Sequence, residues 1–325
     1  MLTPARVAGS WTPRRLDELF TWDLRYFPGV KKQIVMVEAY CDHSFTGTGD
    51  TRTVTLAAVV ASGPNWLRFS DAWNAAMERG GARGKILHMA DLVSGHGDFP
   101  GWQDVEKQTA LFKRLVPVVR DGISWGFVYS LQIAPWEEYA HIIQPTDPKH
   151  AVLPVSFVFQ AVLERIVEAT KPRPEEPLHC YMEEDSLAEH DVTRHFHYLR
   201  ELRGWRENVP LIRPLPKGPA PLQAADMLAY EQSRHVSERI LPGRDGERGL
   251  YRELERCRRL EFFHVDRQGV AQHAALLAHI GNTFADYPKA IAALRQSGMR
   301  AEKRTQQDRS ALGVERKKAR QKRQP

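Results

Sequence analysis

The sequence predicts an α/β fold, a mixed five-stranded sheet flanked by helices, with a helical insertion and a C-terminal helical extension. Three observations carry this. Two β-branched runs, 34–41 and 51–61, flank a polar, glycine-containing turn, Thr46 to Asp50. A third alternating run follows at 122–134. Beyond it, apolar segments of helical period alternate with short strand-like runs, the pattern of helical crossovers between parallel strands.

Taken in order, Ile34 to Cys41 is a strand that stops at Asp42, and Thr51 to Ala61 is its antiparallel partner, ending at Ser62-Gly63-Pro64. Pro64 and Asn65 open a helix through Met77, with Trp66, Phe69, Trp73 and Met77 at the spacing of a core stripe. Gly80 to Gly101 is less regular and contains Leu87-His88-Met89-Ala90-Asp91-Leu92. A helix from about Gln103 to Arg120 has Val105, Leu111, Leu115 and Val119 apolar, and 64–120 reads as an insertion. The third strand follows, and after a proline-rich linker a long helix, Ala151 to Thr170, stops at Lys171-Pro172-Arg173-Pro174. Leu178 to Glu183 is a fourth strand, Leu187 to Leu202 a helix, Val209 to Leu215 a fifth strand and Pro221 to about Ser237 a last helix. From Arg244 to Gln296, apolar positions including Leu250, Leu254, Phe262 and Phe263 predict further helices. The chain thus divides into an N-terminal segment (1–33), a domain (34–240), a helical extension (241–298) and a basic, disordered tail (299–325).

The first three strands make an antiparallel meander, and right-handed crossovers set the later strands parallel beside the first. That order of elements is the RNase H-like one. It makes the first and fourth strands neighbours.

Composition narrows the function classes. The chain has 325 residues, 42% of them hydrophobic and 26% charged, with a mean hydropathy of −0.47. These are the proportions of a chain with a full core. The apolar runs fall short of the roughly 20 residues a spanning helix needs, and residues 1–30 lack the continuous apolar stretch of a secretory signal. A soluble chain with a cytoplasmic address and no membrane association is the expectation. The three cysteines, Cys41, Cys180 and Cys257, are far apart in sequence and form no Cys-x-x-Cys pair, which predicts reduced, buried thiols. The net charge of +6 belongs to the tail. Residues 299–325 hold ten Lys or Arg against three acids, a local net of +7, which leaves −1 for the other 298 residues. Such a tail is either a solvated end or an arm that contacts nucleic-acid phosphates.

In the predicted sheet, acidic residues fall where strands end. Asp42 closes the first strand, Glu183, Glu184 and Asp185 the fourth, and Asp226 lies early in the last helix. Each has a structural alternative. Asp42 can cap a turn, and Glu184 and Asp185 can cap the helix that follows. Asp226, however, stands between Leu222-Gln223-Ala224-Ala225 and Met227-Leu228-Ala229, an acid in an apolar helix. Three acids on neighbouring elements suit hard divalent cations, Mg²⁺ or Mn²⁺, rather than zinc. Strand alternation puts Glu183 and Asp185 on one face and Glu184 on the other, and the choice among them stays open.

Tyr40-Cys41-Asp42-His43-Ser44, the Leu87–Leu92 segment, Tyr181-Met182-Glu183-Glu184-Asp185 and above all Pro221 to Glu231, with its Leu-Gln-x-Ala-Asp core, resemble the bacterial and phage family called domain of unknown function 3800. The resemblance spans about 34–238. It implies an RNase H-like fold and a metal-dependent nuclease, with Asp42, Glu183 and Asp226 as metal ligands and His88 as a site neighbour; Asp185 and Gln223 are further candidate neighbours. The family's opening motif reads Tyr-x-Asp-Glu-Ser-Gly; here His43 and Phe45 replace the Glu and the Gly.

Other constellations are weaker. His190, His195 and His197 lack the i, i+4 spacing of a metalloprotease pair and predict a surface helix. Glu164 or Glu168 would supply a fourth carboxylate, or else pair with Arg165 and Lys171 in water. Cys41 and Cys180 fall on adjacent strands, with no basic neighbour to activate a thiol. The expected activity is phosphodiester hydrolysis of nucleic acid at a Mg²⁺ or Mn²⁺ site. The alternative is an inactive RNase H-like scaffold that binds nucleic acid or a protein partner.

Overall fold

The computed structural model describes residues 36–139, 153–184, 192–241 and 249–279. The N-terminal segment 1–33, the basic tail 299–325, Asp185 and His190 lie outside the described residues.

Strand β1 (Val37–Thr46) and β2 (Thr53–Ser62) form a hairpin in which Val37 faces Ser62 and Thr46 faces Thr53. β3 (Trp125–Gln132) continues the meander antiparallel to β2. β4 (Leu178–Glu183) then lies parallel beside β1, and β5 (Ile212–Leu215) parallel beside β4. A sixth strand, β6 (Leu260–Val265), pairs parallel with β3 and completes the order β5-β4-β1-β2-β3-β6. Every residue of β2 from Thr53 to Ala61 is buried, which is why its sequence is nearly continuous Val, Ala and Thr rather than alternating: a central strand has both faces covered.

Helices α1 (Gly63–Arg79), α3 (Val105–Gly122) and α7 (Ala220–His235) cover one face of the sheet, packing on Tyr40, Ala57, Val59, Val128 and Tyr181. The short α2 (Met89–Ser94) tucks in beside them. On the other face α5 (Pro154–Thr170) and α6 (Val192–Arg203) pack on Ala39, Cys41, Leu56, Ala58, Cys180 and Met182. Among the described residues the remaining helical elements are a 3-10 turn (Gly49–Thr51) between β1 and β2, α4 (Ile133–Glu138), a π turn (Val236–Ile240), α8 (Gly249–Glu255) and α9 (Arg267–His279). None of the described helices is long and apolar enough to cross a membrane.

Three expectations need correction. The sheet has six strands, not five, because Leu260–Val265 is a strand within the stretch read as wholly helical. It is an edge strand, with Leu260 buried and Phe263 36% exposed, so it lacks the strict alternation that marks a strand with one clean apolar face. Its docking needs Gly126, where an added Cβ would meet Leu260 Cδ2 at 2.3 Å. Second, β1 does not stop at Asp42 but runs on to Thr46, because its ladder with β2 continues through Asp42 opposite Ala57. Third, Val105, read with the apolar positions of its helix, is 72% exposed as the first residue of α3. Trp66, Phe69, Trp73 and Met77 are buried in the core as their spacing predicts.

Candidate active site

Parallel pairing of β1 with β4 sets Tyr40 opposite Tyr181 and Cys41 opposite Met182. Side chains alternate along a strand. Asp42 and Glu183, each two residues beyond a tyrosine that packs against α7, therefore share the tyrosines' face. α7 crosses that face and brings Asp226. The three acids line one cleft together with His88, Lys217, Gly218, Leu222 and Gln223. The cleft leaves about 10 Å³ for the centre of a water-sized sphere, the room of about one water or a small ion.

All three acids are buried, Asp42 at 6%, Glu183 at 7% and Asp226 at 6% exposure. Burial, reinforced by repulsion from Asp226, pushes the Asp42 carboxyl well above its ordinary range, against the opposing pull of the His43 backbone N–H and of Lys217. That N–H donates to Asp42 Oδ1 at 2.7 Å. Burial likewise raises Asp226 to about 6, offset by His88, by the Met89 N–H and by Lys217. The Met89 N–H donates to Asp226 Oδ2 at 2.6 Å, so the first residue of α2 is tied to the acid. Gly95 stops α2 with φ 72°, in the left-handed region that favours glycine.

Around the acids lies a chain of polar contacts. Asp91 Oδ2 is 3.1 Å from His88 Nδ1, His88 Nε2 is 3.3 Å from Lys217 Nζ, and Lys217 Nζ is 3.0 Å from Glu183 Oε1. Gln223 ties the walls of the cleft together. Its Oε1 accepts from Trp73 Nε1 at 3.1 Å and from the Leu87 N–H at 2.8 Å, while its Nε2 donates to the Gly218 carbonyl at 2.6 Å. One buried amide thus anchors the helix α1, the segment that carries His88 and the loop that carries Lys217.

The structure brings Asp42, Glu183, Asp226, His88 and Gln223 to one cleft, and of the described acids at the end of β4 it is Glu183 that faces it, Glu184 being exposed. Glu164 and Glu168 are elsewhere, on α5 across the sheet, paired with Arg203 and Arg165. Cys41 and Cys180 are buried on that far side, and burial pushes both thiols up, Cys180 to about 12. His195 on α6 is part-buried rather than surface-exposed, and burial lowers it to about 4.

Sequence reasoning missed Lys217 and the role of Asp91. The signal for Lys217 is faint, a lone Lys-Gly between Pro216 and Pro219 ahead of α7. Asp91, three residues beyond His88 at the start of a helix, is the stronger hint.

As a donor set, Asp42, Glu183 and Asp226 offer hard carboxylate oxygens in a buried, acid-rich cleft, which fits Mg²⁺ or Mn²⁺ in kind. Among the described residues no group of three or more His, Cys, Asp or Glu stands at metal-ligand spacing. The Lys217 ammonium is in contact with Glu183. Comparison with known proteins finds no matching family model, no matching curated protein and no matching solved structure.

Proposed function

We propose that this chain is a Mg²⁺- or Mn²⁺-dependent nuclease that hydrolyses phosphodiester bonds of nucleic acid at an RNase H-like carboxylate site. The observation that carries the reading is the meeting of Asp42, Glu183 and Asp226, from two neighbouring parallel strands and the helix that crosses them, in one cleft. Three buried acids lining one cleft are unfavourable without a compensating charge. An arrangement that costs stability and yet recurs on three separate elements points to a site rather than to three structural roles.

In this reading Asp42, Glu183 and Asp226 hold the metal. Divalent cations, when bound, activate the attacking water and stabilise the leaving oxygen. His88, held by Asp91, lies at the mouth to orient the substrate or carry a proton. The Leu-Gln-x-Ala-Asp motif supports membership in the domain of unknown function 3800 family, and the element order supports the RNase H-like fold. The basic tail raises the local concentration of a polyanionic substrate.

The test is cleavage of labelled single-stranded DNA, duplex DNA, RNA and hybrid with Mg²⁺, Mn²⁺ or EDTA, beside Asp42→Asn and Asp226→Asn. Metal-dependent cleavage lost in both variants is expected and names the substrate class. Cleavage that survives both, or none on any substrate, rejects the reading.

Two observations favour a second reading, an inactive scaffold that binds nucleic acid or a protein partner. Lys217 already supplies positive charge to Glu183, and His43 stands where the resembled family has an acid. A scaffold shows no Mn²⁺-dependent rise in melting temperature that Asp42→Asn removes.

A further inference from the structure

The Lys217 ammonium occupies the charge-compensating position of the carboxylate cleft, and its geometry carries an inference of its own. Nζ lies 3.0 Å from Glu183 Oε1 and 3.3 Å from His88 Nε2. Asp42 and Asp226 line the same cleft. The backbone that presents it is constrained on both sides. Pro214 and Pro216 precede it, Pro219 and Pro221 follow it, and the Gly218 carbonyl is held by the buried Gln223 amide. Fixed φ at the prolines and one anchored carbonyl leave the loop little freedom. The side chain beyond it is different: 45% exposed, it carries a point charge on a flexible four-carbon stem.

The cleft leaves room for about one water. A divalent cation on Glu183 and an ammonium on the same oxygen would be like charges a few ångströms apart, which a site of this size does not tolerate. We propose that Lys217 is a tethered counter-ion that competes with the metal for the carboxylate cleft, leaving Glu183 when metal enters and then facing the phosphate of an incoming nucleic acid. The inference rests on the carboxylate-site reading above. It adds a regulated entry step, in which Lys217 offsets part of the negative charge of the metal-free cleft and loading the metal frees a cation for the substrate.

The test is Mn²⁺ binding to the full chain, by calorimetry and by the electron paramagnetic resonance of free Mn²⁺, for wild type, Lys217→Met, Lys217→Gln, Lys217→Arg and Asp226→Asn. Removing the competing charge is expected to tighten Mn²⁺ binding about tenfold in the Met and Gln variants. Lys217→Arg, which keeps the charge, stays near wild type, and Asp226→Asn weakens binding. A second readout is melting temperature. Without metal Lys217→Met melts below wild type, because Glu183 loses its ion pair with Lys217, and Mn²⁺ raises it by more than it raises wild type. Equal or weaker Mn²⁺ binding in both Lys217→Met and Lys217→Gln, with Asp226→Asn still weakened, overturns the competition while leaving the carboxylate site in place. Absence of Mn²⁺ binding in every variant and in wild type overturns the carboxylate-site reading and the competition with it. Two neutral substitutions at a half-exposed loop position keep the result independent of any one variant's folding.

Discussion

Tyr40 on β1 and Tyr181 on β4 stack with ring centroids 4.9 Å apart and planes 20° from parallel, directly opposite each other in the parallel register. Tyr40 also meets Trp66 of α1 edge-on at 5.2 Å. The stack locks the two strands together one alternation before Asp42 and Glu183, so packing of the rings sets how the two strands present these acids to the cleft. Tyr181→Ala is expected to cost about 3 to 4 kcal/mol, as for other buried aromatics cut to alanine. Tyr181→Phe, which keeps the ring, costs less than about 1 kcal/mol. Urea unfolding measures both, and a loss under 1 kcal/mol for the alanine variant would show that the ring pair does not hold the strands.

Asp226 makes the stability of the fold depend on pH. Its folded pKa, raised to about 6 by burial, lies above the unfolded value of about 3.9. The folded state therefore binds the proton more tightly than the unfolded chain. Its favourable contribution is complete below about pH 4 and is lost as pH rises through 6. Asp226→Asn, which keeps an acceptor for the Met89 N–H, is expected to stabilise the metal-free protein at pH 8 by on the order of 2 kcal/mol. The gain shrinks to nothing near pH 4. Denaturant titrations in EDTA at the two pH values check this, and equal stability of the two proteins at pH 8 would sink it.

His195 acts with the opposite sign. Burial, then Arg194, lowers it to about 4 in the folded state, below the unfolded value of about 6.5. Between these the unfolded chain binds more protons, so the contribution is present above pH 6.5 and is lost as pH falls toward 4. His195→Gln, which retains a polar side chain facing Gln160 across the present 3.3 Å contact, is expected to flatten this acid limb by on the order of 1 to 2 kcal/mol. Melting curves from pH 7 to pH 4 measure the slope; parallel curves for variant and wild type would contradict it.

Gln223 carries three hydrogen bonds, from Trp73 and Leu87 and to Gly218. Gln223→Ala strands those partners in a buried region and is expected to cost about 2 to 4 kcal/mol. Trp73→Phe removes one partner with it, so a double-mutant cycle of the two substitutions gives a coupling of about 1 kcal/mol. Strict additivity in urea unfolding would mean that the indole and the amide do not act as a unit.

Much of this site was legible in the sequence. Asp226 stood out because an acid between Ala225 and Met227 in an apolar helix has no local reason to be there. Gln223 came with it in one motif, and period-2 alternation already separated Glu183 from Glu184. The antiparallel meander and the neighbourhood of β1 and β4 followed from the order of strands and crossovers. β6 did not, because an edge strand borrows its pairing from β3 and has no clean apolar face of its own. The end of β1 was misjudged for a related reason: Asp42 looks like a terminus, yet its backbone is held by the ladder to Ala57, a partner fifteen positions away.

By itself, then, the sequence determined which residue types lie on which element and on which face, since helical and strand periods are local properties. Only the tertiary structure decided what meets across elements. That Lys217 reaches Glu183 and His88 depends on where a proline-flanked loop lands against β4 and on a single amide, Gln223, that fixes Gly218 from another helix. Contacts of that kind are settled by packing between segments far apart in the chain, and no local pattern encodes them.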